Sequence, residues 1–204
     1  MKPGEIESSS FNIIESEAGD HNFTPEEWNI VRRIIHTSAD FDYMKTIRFH
    51  PHAINSGIEA IRRGCTIVTD TNMARVGIRK KELSIFGGEV HCLIADNDVA
   101  EMAKAHGVTR ALAAMDKAVN KFHDAIYVIG NAPTALLRLM ELIAENRVKP
   151  ALVVGFPVGF VNAAESKAEL VKLDIPFISN VGRKGGSNVA ASIINALAIM
   201  AAEE

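Results

Sequence analysis

The chain has 204 residues, of which 48% are hydrophobic and 23% charged, and its formal net charge at pH 7 is −3. This length supports one well-filled core and is too short for two ordinary domains. The small negative charge argues against a general nucleic-acid-binding surface, so an anion site would have to be local. The two cysteines, Cys65 and Cys92, are too few for a disulfide framework and indicate a reducing, cytoplasmic setting.

The N-terminal 24 residues are polar, with one apolar stretch at 11–14, and are expected to form an irregular arm. They hold no apolar signal region. A helix is predicted to begin at Pro25, because Thr24 is a good N-cap, proline suits the first helical position and Glu27 completes a capping box. Residues 1–24 are therefore interpreted as an N-terminal arm and residues 25–204 as a single α/β domain.

Beyond this first helix, helical patterns alternate with short apolar, β-branched runs. The predicted strands cover residues 66–70, 90–95, 125–129, 151–155 and 176–179. The further predicted helices cover residues 52–63, 71–81, 98–106, 110–121, 133–146, 161–172 and 187–202. This alternation predicts a three-layer α/β/α domain with a mainly parallel, five-stranded sheet. The final helix is apolar but too short to span a bilayer, so it is expected to be buried.

Three of the predicted strands end in turns rich in glycine, asparagine and proline, and a new helix follows each turn. The sequences are IYVIGNAPTAL at 126–136, ALVVGFPVGF at 151–160 and FISNVGRKGGS at 177–187. In a parallel sheet these turns share the edge where open α/β folds bind ligands. Helix N-termini there offer N–H groups and positive dipole ends, which predicts a site for a ligand with several negative groups. The turns match neither GxGxxG nor GxxxxGK[ST], which disfavours a dinucleotide site or a P-loop.

Cationic residues near these turns are candidate ligands for anions. Arg110 follows Thr109, the expected N-cap, in a first helical turn where the dipole disfavours a cation. It is either held for an anionic partner or is an ordinary exposed arginine. Arg183 and Lys184 stand beside flexible glycine backbone, where they either bind an anion or are solvated.

His36 lies late in the first predicted helix, four residues after Arg32. A neighbouring cation disfavours a protonated imidazole, whereas a carboxylate-rich ligand favours it. Such a histidine suits a general acid that its substrate switches on. By spacing alone, the position favours an ordinary surface histidine at a helix end.

Two other patterns carry less chemistry. His50 and His52 could coordinate a metal ion, but no third ligand stands at a recognisable spacing, so no metal site is predicted. Ser166 and Lys167 are neighbours on a helix and do not face each other, and no GxSxG motif is present, so a serine nucleophile is unsupported. Glu165 or Lys167 could instead bind the ligand or stiffen the loop, and their roles stay open.

Seven segments, in order through almost the whole chain, together resemble one enzyme family. They are SFNII at 10–14, VRRIIH at 31–36, TDTNM at 69–73, GVTRALAAM at 107–115, IGNAPTAL at 129–136, GFPVGFVNAAESK at 155–167 and GRKGGSNVA at 182–190. The sequence resembles the precorrin-8X and cobalt-precorrin-8 methylmutases of cobalamin biosynthesis. GFPVGFVNAAESK and GNAPTAL are long and unusual, so the resemblance is specific.

The resemblance implies an isomerase that moves the C-11 methyl group of precorrin-8X or cobalt-precorrin-8 to C-12, giving hydrogenobyrinate or cobyrinate by an acid-assisted 1,5-sigmatropic shift. It implies His36 as the acid, no cofactor or resident metal, and a homodimer whose protomers share the active site. Ser10 and Arg110 match the family's substrate contacts. With the turns included, the expected substrate-binding residues are Ser10, Arg110, Asn131, Thr134, Gly159, Arg183, Gly185, Gly186 and Ser187.

A flat macrocycle with many acetate and propionate arms suits an edge built from helix N-termini and cations. Phe156, Val158 and Phe160 are expected to pack against its ring face. The alternative function is a corrinoid-binding carrier that retains the product and hands it on to neighbouring pathway enzymes, which needs no proton donor. An unrelated nucleotide-dependent enzyme is a third hypothesis. The sequence does not distinguish a cobalt-containing from a metal-free substrate, or a dimer from a tetramer.

Overall fold

The computed structural model describes residues 3–203, so Met1 and Lys2 of the predicted arm and Glu204 of the predicted domain lie outside the described residues. The helices are α1 (Pro3–Ala18), α2 (Pro25–Ser38), α3 (Tyr43–Thr46), α4 (Ala53–Arg62), α5 (Asn72–Gly77), α6 (Lys80–Ser84), α7 (Asn97–His106), α8 (Arg110–Lys121), α9 (Pro133–Ala144), α10 (Ala163–Leu170) and α11 (Ser187–Glu203). The strands are β1 (Ile47–Phe49), β2 (Ile67–Thr69), β3 (Val90–His91), β4 (Ile126–Ile129), β5 (Leu152–Gly155) and β6 (Phe177–Asn180).

The strands form one sheet in the order β1-β6-β5-β4-β2-β3, in which only the β1–β6 pair is antiparallel. The mainly parallel α/β class and the five predicted strands are confirmed. The sheet has a sixth strand, β1, that the sequence did not predict. β1 is three residues long and places exposed Arg48 between two apolar residues, which is too short a pattern to indicate a strand.

Helices cover both faces of the sheet, as the three-layer prediction required. Alternate residues of β4 enter opposite cores: Ile126 and Val128 pack with α2, α4 and α11, whereas Tyr127 and Ile129 pack with α8 and α9. The expected burial of the last helix is confirmed, since α11 lies in the first of these cores. No helix within residues 3–203 combines the length and apolar character needed to cross a membrane.

The expectation of an irregular arm is wrong for residues 3–18, which form α1. Phe11, Ile14 and Ala18 make a helical stripe that packs into the core beside α2. Two polar contacts reinforce the packing: the Trp28 indole donates to Glu15 at 2.8 Å, and Arg33 pairs with Glu7 at 3.1 Å. The polar composition concealed this helix because only one narrow stripe of it is apolar.

The structure confirms the predicted start of α2. The Glu27 N–H donates to the Thr24 hydroxyl at 3.2 Å, and the Thr24 N–H donates to the Glu27 carboxylate at 3.0 Å. The helix predicted over 71–81 is instead broken between α5 and α6. Asn195 of α11 binds both sides of the break: it accepts from the Arg79 N–H at 2.8 Å and donates to the Gly77 carbonyl at 3.0 Å.

Candidate active site

Four parallel strands, β2, β4, β5 and β6, end at one edge of the sheet, and the turns that follow them contact each other. Gly130 after β4 and Gly185 after β6 permit this contact. A Cβ atom at Gly130 would stand 2.6 Å from Cα of Ser187, and one at Gly185 would collide with the carbonyl of Phe156. The Gly186 N–H also donates to the Phe156 carbonyl at 2.9 Å. The glycines therefore let three turns pack as one surface.

Asp70, directly after β2, holds the turn after β4. Its carboxylate is 5% exposed and accepts the N–H groups of Gly130, Asn131 and Ala132 at 2.9, 2.9 and 2.7 Å. Burial raises the pKa of Asp70, and the three N–H donors oppose that rise. The sequence reasoning gave this residue no role. An aspartate directly after a buried strand was the available signal.

His36 and Ser10, both predicted site residues, are in contact. The Ser10 hydroxyl lies 2.8 Å from Nδ1 of His36, so it joins α1 to the end of α2. The Phe11 ring packs at 5.2 Å from the imidazole, and the Arg32 guanidinium lies 5.0 Å from the Phe11 centroid. His36 is exposed, and its Nε2 has no hydrogen-bond partner among residues 3–203. The imidazole is thus held at one nitrogen and open at the other.

The end of α2 is attached to the Gly182–Ser187 loop. The Lys184 ammonium binds Asp40 at 2.6 Å and Asp42 at 2.7 Å, just beyond His36. The Lys184 hydrogen bond and charge lower the pKa of Asp42. The Asn188 amide also donates to the Thr37 carbonyl at 3.5 Å. Lys184 therefore links the histidine segment to the loop through two ion pairs.

Ser187 begins α11 and faces the protein interior. Its hydroxyl is 2.7 Å from that of Thr71, which in turn accepts the Ala74 N–H and caps α5. Arg183 of the same loop lies 5.6 Å from the centroid of Phe160. The Gly159 N–H donates to the Arg183 carbonyl at 3.2 Å. The loops after β5 and β6 are thus joined through backbone and side chains.

Arg110 and Thr134 are connected through Thr109. The two threonine hydroxyls are 3.0 Å apart, and the Thr109 hydroxyl also accepts the Leu112 N–H at the start of α8. No carboxylate in residues 3–203 pairs with the exposed guanidinium of Arg110. This contact links Arg110 to the start of α9 and hence to the turn held by Asp70.

The apolar residues proposed to pack on a ring divide into two groups. Phe156 is fully buried, 6.4 Å from the Tyr43 ring, so the expectation for this residue is wrong. Val158 and Phe160 are exposed, Phe160 by 85%. The side chain at the end of a buried strand belongs to the core, whereas those in the following loop face outward.

A wide cleft of about 970 Å³ lies at the opposite edge, where β4, β5 and β6 begin. Arg63, His123 and Arg147 are among its lining residues, and none of the predicted site residues is. His50 lies near this edge and contacts Asp174 at 3.3 Å. Within residues 3–203, no three His, Cys, Asp or Glu side chains are grouped as a metal ion would require.

The fold and this edge define a class: an α/β protein whose strand-end turns share one edge of the sheet, with an imidazole open at Nε2 and two arginines, Arg110 and Arg183, that have no carboxylate partner within residues 3–203. A sequence model of the precorrin-8X methylmutase family matches residues 5–200. The chain belongs to this family, whose members are isomerases, which confirms the resemblance and the enzyme class predicted from the sequence.

Individual relatives are similar over nearly their whole length. The chain is 51% identical to the cobalt-precorrin-8 methylmutase of Priestia megaterium, over 98% of this chain and 89% of that one. It is 48% identical to the Leptospira interrogans enzyme of the same name, over 97% and 94%. The crystal structure of precorrin-8X methylmutase from Thermus thermophilus superposes with a TM-score of 0.90 at 43% identity, covering 97% and 98%.

Proposed function

We propose that this isomerase moves the C-11 methyl group of cobalt-precorrin-8 or precorrin-8X to C-12, with His36 as the general acid. The contact between Ser10 and His36 is the observation that carries the proposal. Because the hydroxyl occupies Nδ1, Nε2 is the nitrogen that faces the ligand. A protonated imidazole donates from Nε2 to a ring nitrogen, which makes the conjugated system electron-poor and lowers the barrier to migration. The proton returns to His36 when the rearranged ring is released.

Two arginines and the strand-end turns bind the substrate in this proposal. Arg110 and Arg183 have no carboxylate partner within residues 3–203, so both are available to the acetate and propionate arms. Each charged contact contributes about 1.5–3 kcal/mol before desolvation. The further proposed contacts are Ser10, Asn131, Thr134, Gly159, Gly185, Gly186 and Ser187. Ser187 contributes its backbone N–H at the start of α11, since its hydroxyl is bound to Thr71.

A homodimer with a shared active site is part of the proposal. Exposed apolar side chains, Met73 and Val76 on α5 and Phe160 and Val161 after β5, stand beside the strand-end turns. A second copy that covers them would remove this surface from water. The final helix does not serve this purpose, because its apolar residues are buried within the chain. Residues 1–24 are proposed as the arm and residues 25–204 as the single domain of each protomer.

We infer that the cobalt form is the substrate. Three relatives at 45–51% identity are named cobalt-precorrin-8 methylmutase. Proteins named precorrin-8X methylmutase are less similar: two relatives are 37% and 35% identical, and the Thermus thermophilus protein is 43% identical. Cobalt would arrive inside the substrate and not as a resident metal. The proposed location is the cytoplasm, where the product passes to the next pathway enzymes.

An absorbance time course tests the function. The purified protein is mixed with cobalt-precorrin-8 and, in parallel, with metal-free precorrin-8X. We expect the spectrum of the rearranged corrin with the cobalt form at a higher kcat/KM. Tight binding of both forms without a spectral change would contradict the isomerase function and favour the corrinoid-binding carrier. Equal or better turnover of the metal-free form would overturn the assignment of cobalt-precorrin-8.

A further inference from the structure

Lys167 on α10 lies beneath the Gly182–Ser187 loop, and its side chain is fully buried. Its ammonium donates to the Lys184 carbonyl at 2.5 Å and to the Asn180 amide oxygen at 3.2 Å. The Asn180 amide nitrogen donates to the same Lys184 carbonyl at 2.9 Å and to the Val181 carbonyl at 3.3 Å. Two buried side chains therefore hold the loop from below through its backbone.

The charge of Lys167 has no counter-charge within residues 3–203, because both of its acceptors are neutral oxygens. Burial of an unpaired ammonium is costly, and a neutral donor would hold the loop at lower cost. Burial lowers the pKa of Lys167 to about 8. Holding the loop through hydrogen bonds therefore does not by itself account for a charged side chain at this buried position.

Most charged side chains on the surrounding elements are already paired with others. The pairs are Glu169 with Lys172, Arg138 with Glu141, and Lys184 with Asp40 and Asp42. Glu165 on α10 and Arg183 on the loop are exposed, and β6 carries no charged residue. An anion on the outer side of the loop would be the missing counter-charge.

We propose that Lys167 is a positioning residue that holds the Gly182–Ser187 loop for a substrate carboxylate and supplies a fixed positive charge beneath it. This inference rests on the proposed function, in which the loop binds a carboxylate arm. Lys167 does not touch the substrate, and its charge acts through the loop. The substrate binds the protonated form of Lys167 more tightly, so binding and proton uptake are linked.

The sign of the pH effect follows from this linkage. At pH values well below 8 the ammonium is protonated in the free enzyme, and KM is expected to be constant. Above pH 8 the free enzyme loses this proton, so KM rises up to tenfold per pH unit until the substrate-bound lysine also titrates. A residue that only supported the loop would change KM without changing this pH profile.

Steady-state kinetics on the full chain from pH 6.5 to 9.5 test the inference. Lys167→Met removes the donors and the charge, Lys167→Gln keeps a donor without the charge, and Lys172→Met is a matched surface control near the same helix. At pH 7 we expect KM to rise at least tenfold in Lys167→Met and less in Lys167→Gln, with kcat within threefold. Both variants should lose the rise of KM above pH 8, which wild type and Lys172→Met keep.

The outcomes separate this inference from the function itself. No turnover by the wild type overturns the proposed function. Turnover by the wild type with a flat KM between pH 7 and 9.5 overturns the role of the Lys167 charge, and this readout needs no variant. An unchanged pH profile in folded Lys167→Gln, checked by circular dichroism, overturns it as well.

Discussion

The two edges of the sheet differ in how their polar groups are used. At the amino edge the cleft is wide, but its ion pairs are exposed, such as Arg63 with Asp124 at 3.8 Å. At the carboxyl edge Asp70 and Lys167 are buried and bound to backbone groups, and the buried Ser187 hydroxyl contacts the Thr71 hydroxyl. Buried polar groups must be satisfied and so fix one geometry. The proposed site therefore lies at the edge with buried polar contacts and not at the wide cleft, whose lining includes none of the proposed residues.

The largest difference between the two edges is expected in kcat, when one histidine at each edge is replaced by alanine. His36→Ala is expected to lower kcat by about 10²–10⁴-fold with little change in substrate binding, because general acid catalysis contributes about that much. His123→Ala, on the cleft at the amino edge, should leave kcat within twofold. The absorbance assay measures both. Wild-type turnover by His36→Ala would show that another group donates the proton.

Two aspartates give the next contrast, in stability. Asp70→Asn should lower the free energy of unfolding by about 2–4 kcal/mol, because an amide NH₂ would replace one of the two oxygens that accept the three backbone N–H groups in a buried site. Asp124→Asn, exposed at the amino edge, should change it by less than about 0.5 kcal/mol. Urea unfolding measures both values. Equal losses would mean that the turn after β4 does not depend on the Asp70 carboxylate.

The pH dependence of stability tests whether the buried Lys167 carries an unpaired charge. Its native pKa, about 8, is below the ordinary value of 10.5, so between these values the unfolded chain binds more protons than the folded chain. The free energy of unfolding of wild type minus that of Lys167→Met should therefore rise with pH from 8 to 10.5, by at most about 1.4 kcal/mol per pH unit. Lys172→Met should show no such difference from wild type. Parallel curves for wild type and Lys167→Met would contradict an unpaired buried charge.

The smallest expected effect concerns orientation of the acid. Ser10→Ala removes the hydroxyl at Nδ1 of His36, and a lost hydrogen bond of about 1 kcal/mol corresponds to roughly a fivefold lower kcat. Ser16→Ala on the same helix removes a hydroxyl that only bonds the Ile13 carbonyl, and should match wild type. An unchanged kcat in Ser10→Ala would show that the hydroxyl does not orient the imidazole, whereas a higher KM would report its proposed contact with the substrate.

Several features were predictable because they depend on residues close together in the chain. The capping box at Thr24 and Glu27 fixed the start of α2. Buried apolar runs predicted five strands, and the glycine- and proline-rich turns after three of them were predicted to share one edge. The family motifs were equally local, and the family match confirmed them. The helix position made His36 a candidate acid, the resemblance assigned it that role, and the role stays a prediction.

Other features could not be predicted because their partners are remote in sequence. α1 is a helix because it packs against α2, and the gap between α5 and α6 exists because Asn195 satisfies its backbone, 116 residues from Arg79. The ion pair of Lys184 was not predicted, because its partner Asp40 is 144 residues away in the sequence. Local pattern carries no information on such pairings.

The sequence by itself determined the α/β class, the order of most elements, the strand-end turns and the family, since periodicity, caps and motifs are encoded within a few neighbouring residues. Only the tertiary structure decided which polar groups are buried and what they bind. It assigned Asp70 to the turn after β4, removed Phe156 from the surface and put Lys167 under the glycine-rich loop. The reason is physical: burial and hydrogen-bond satisfaction arise when distant segments exclude water together.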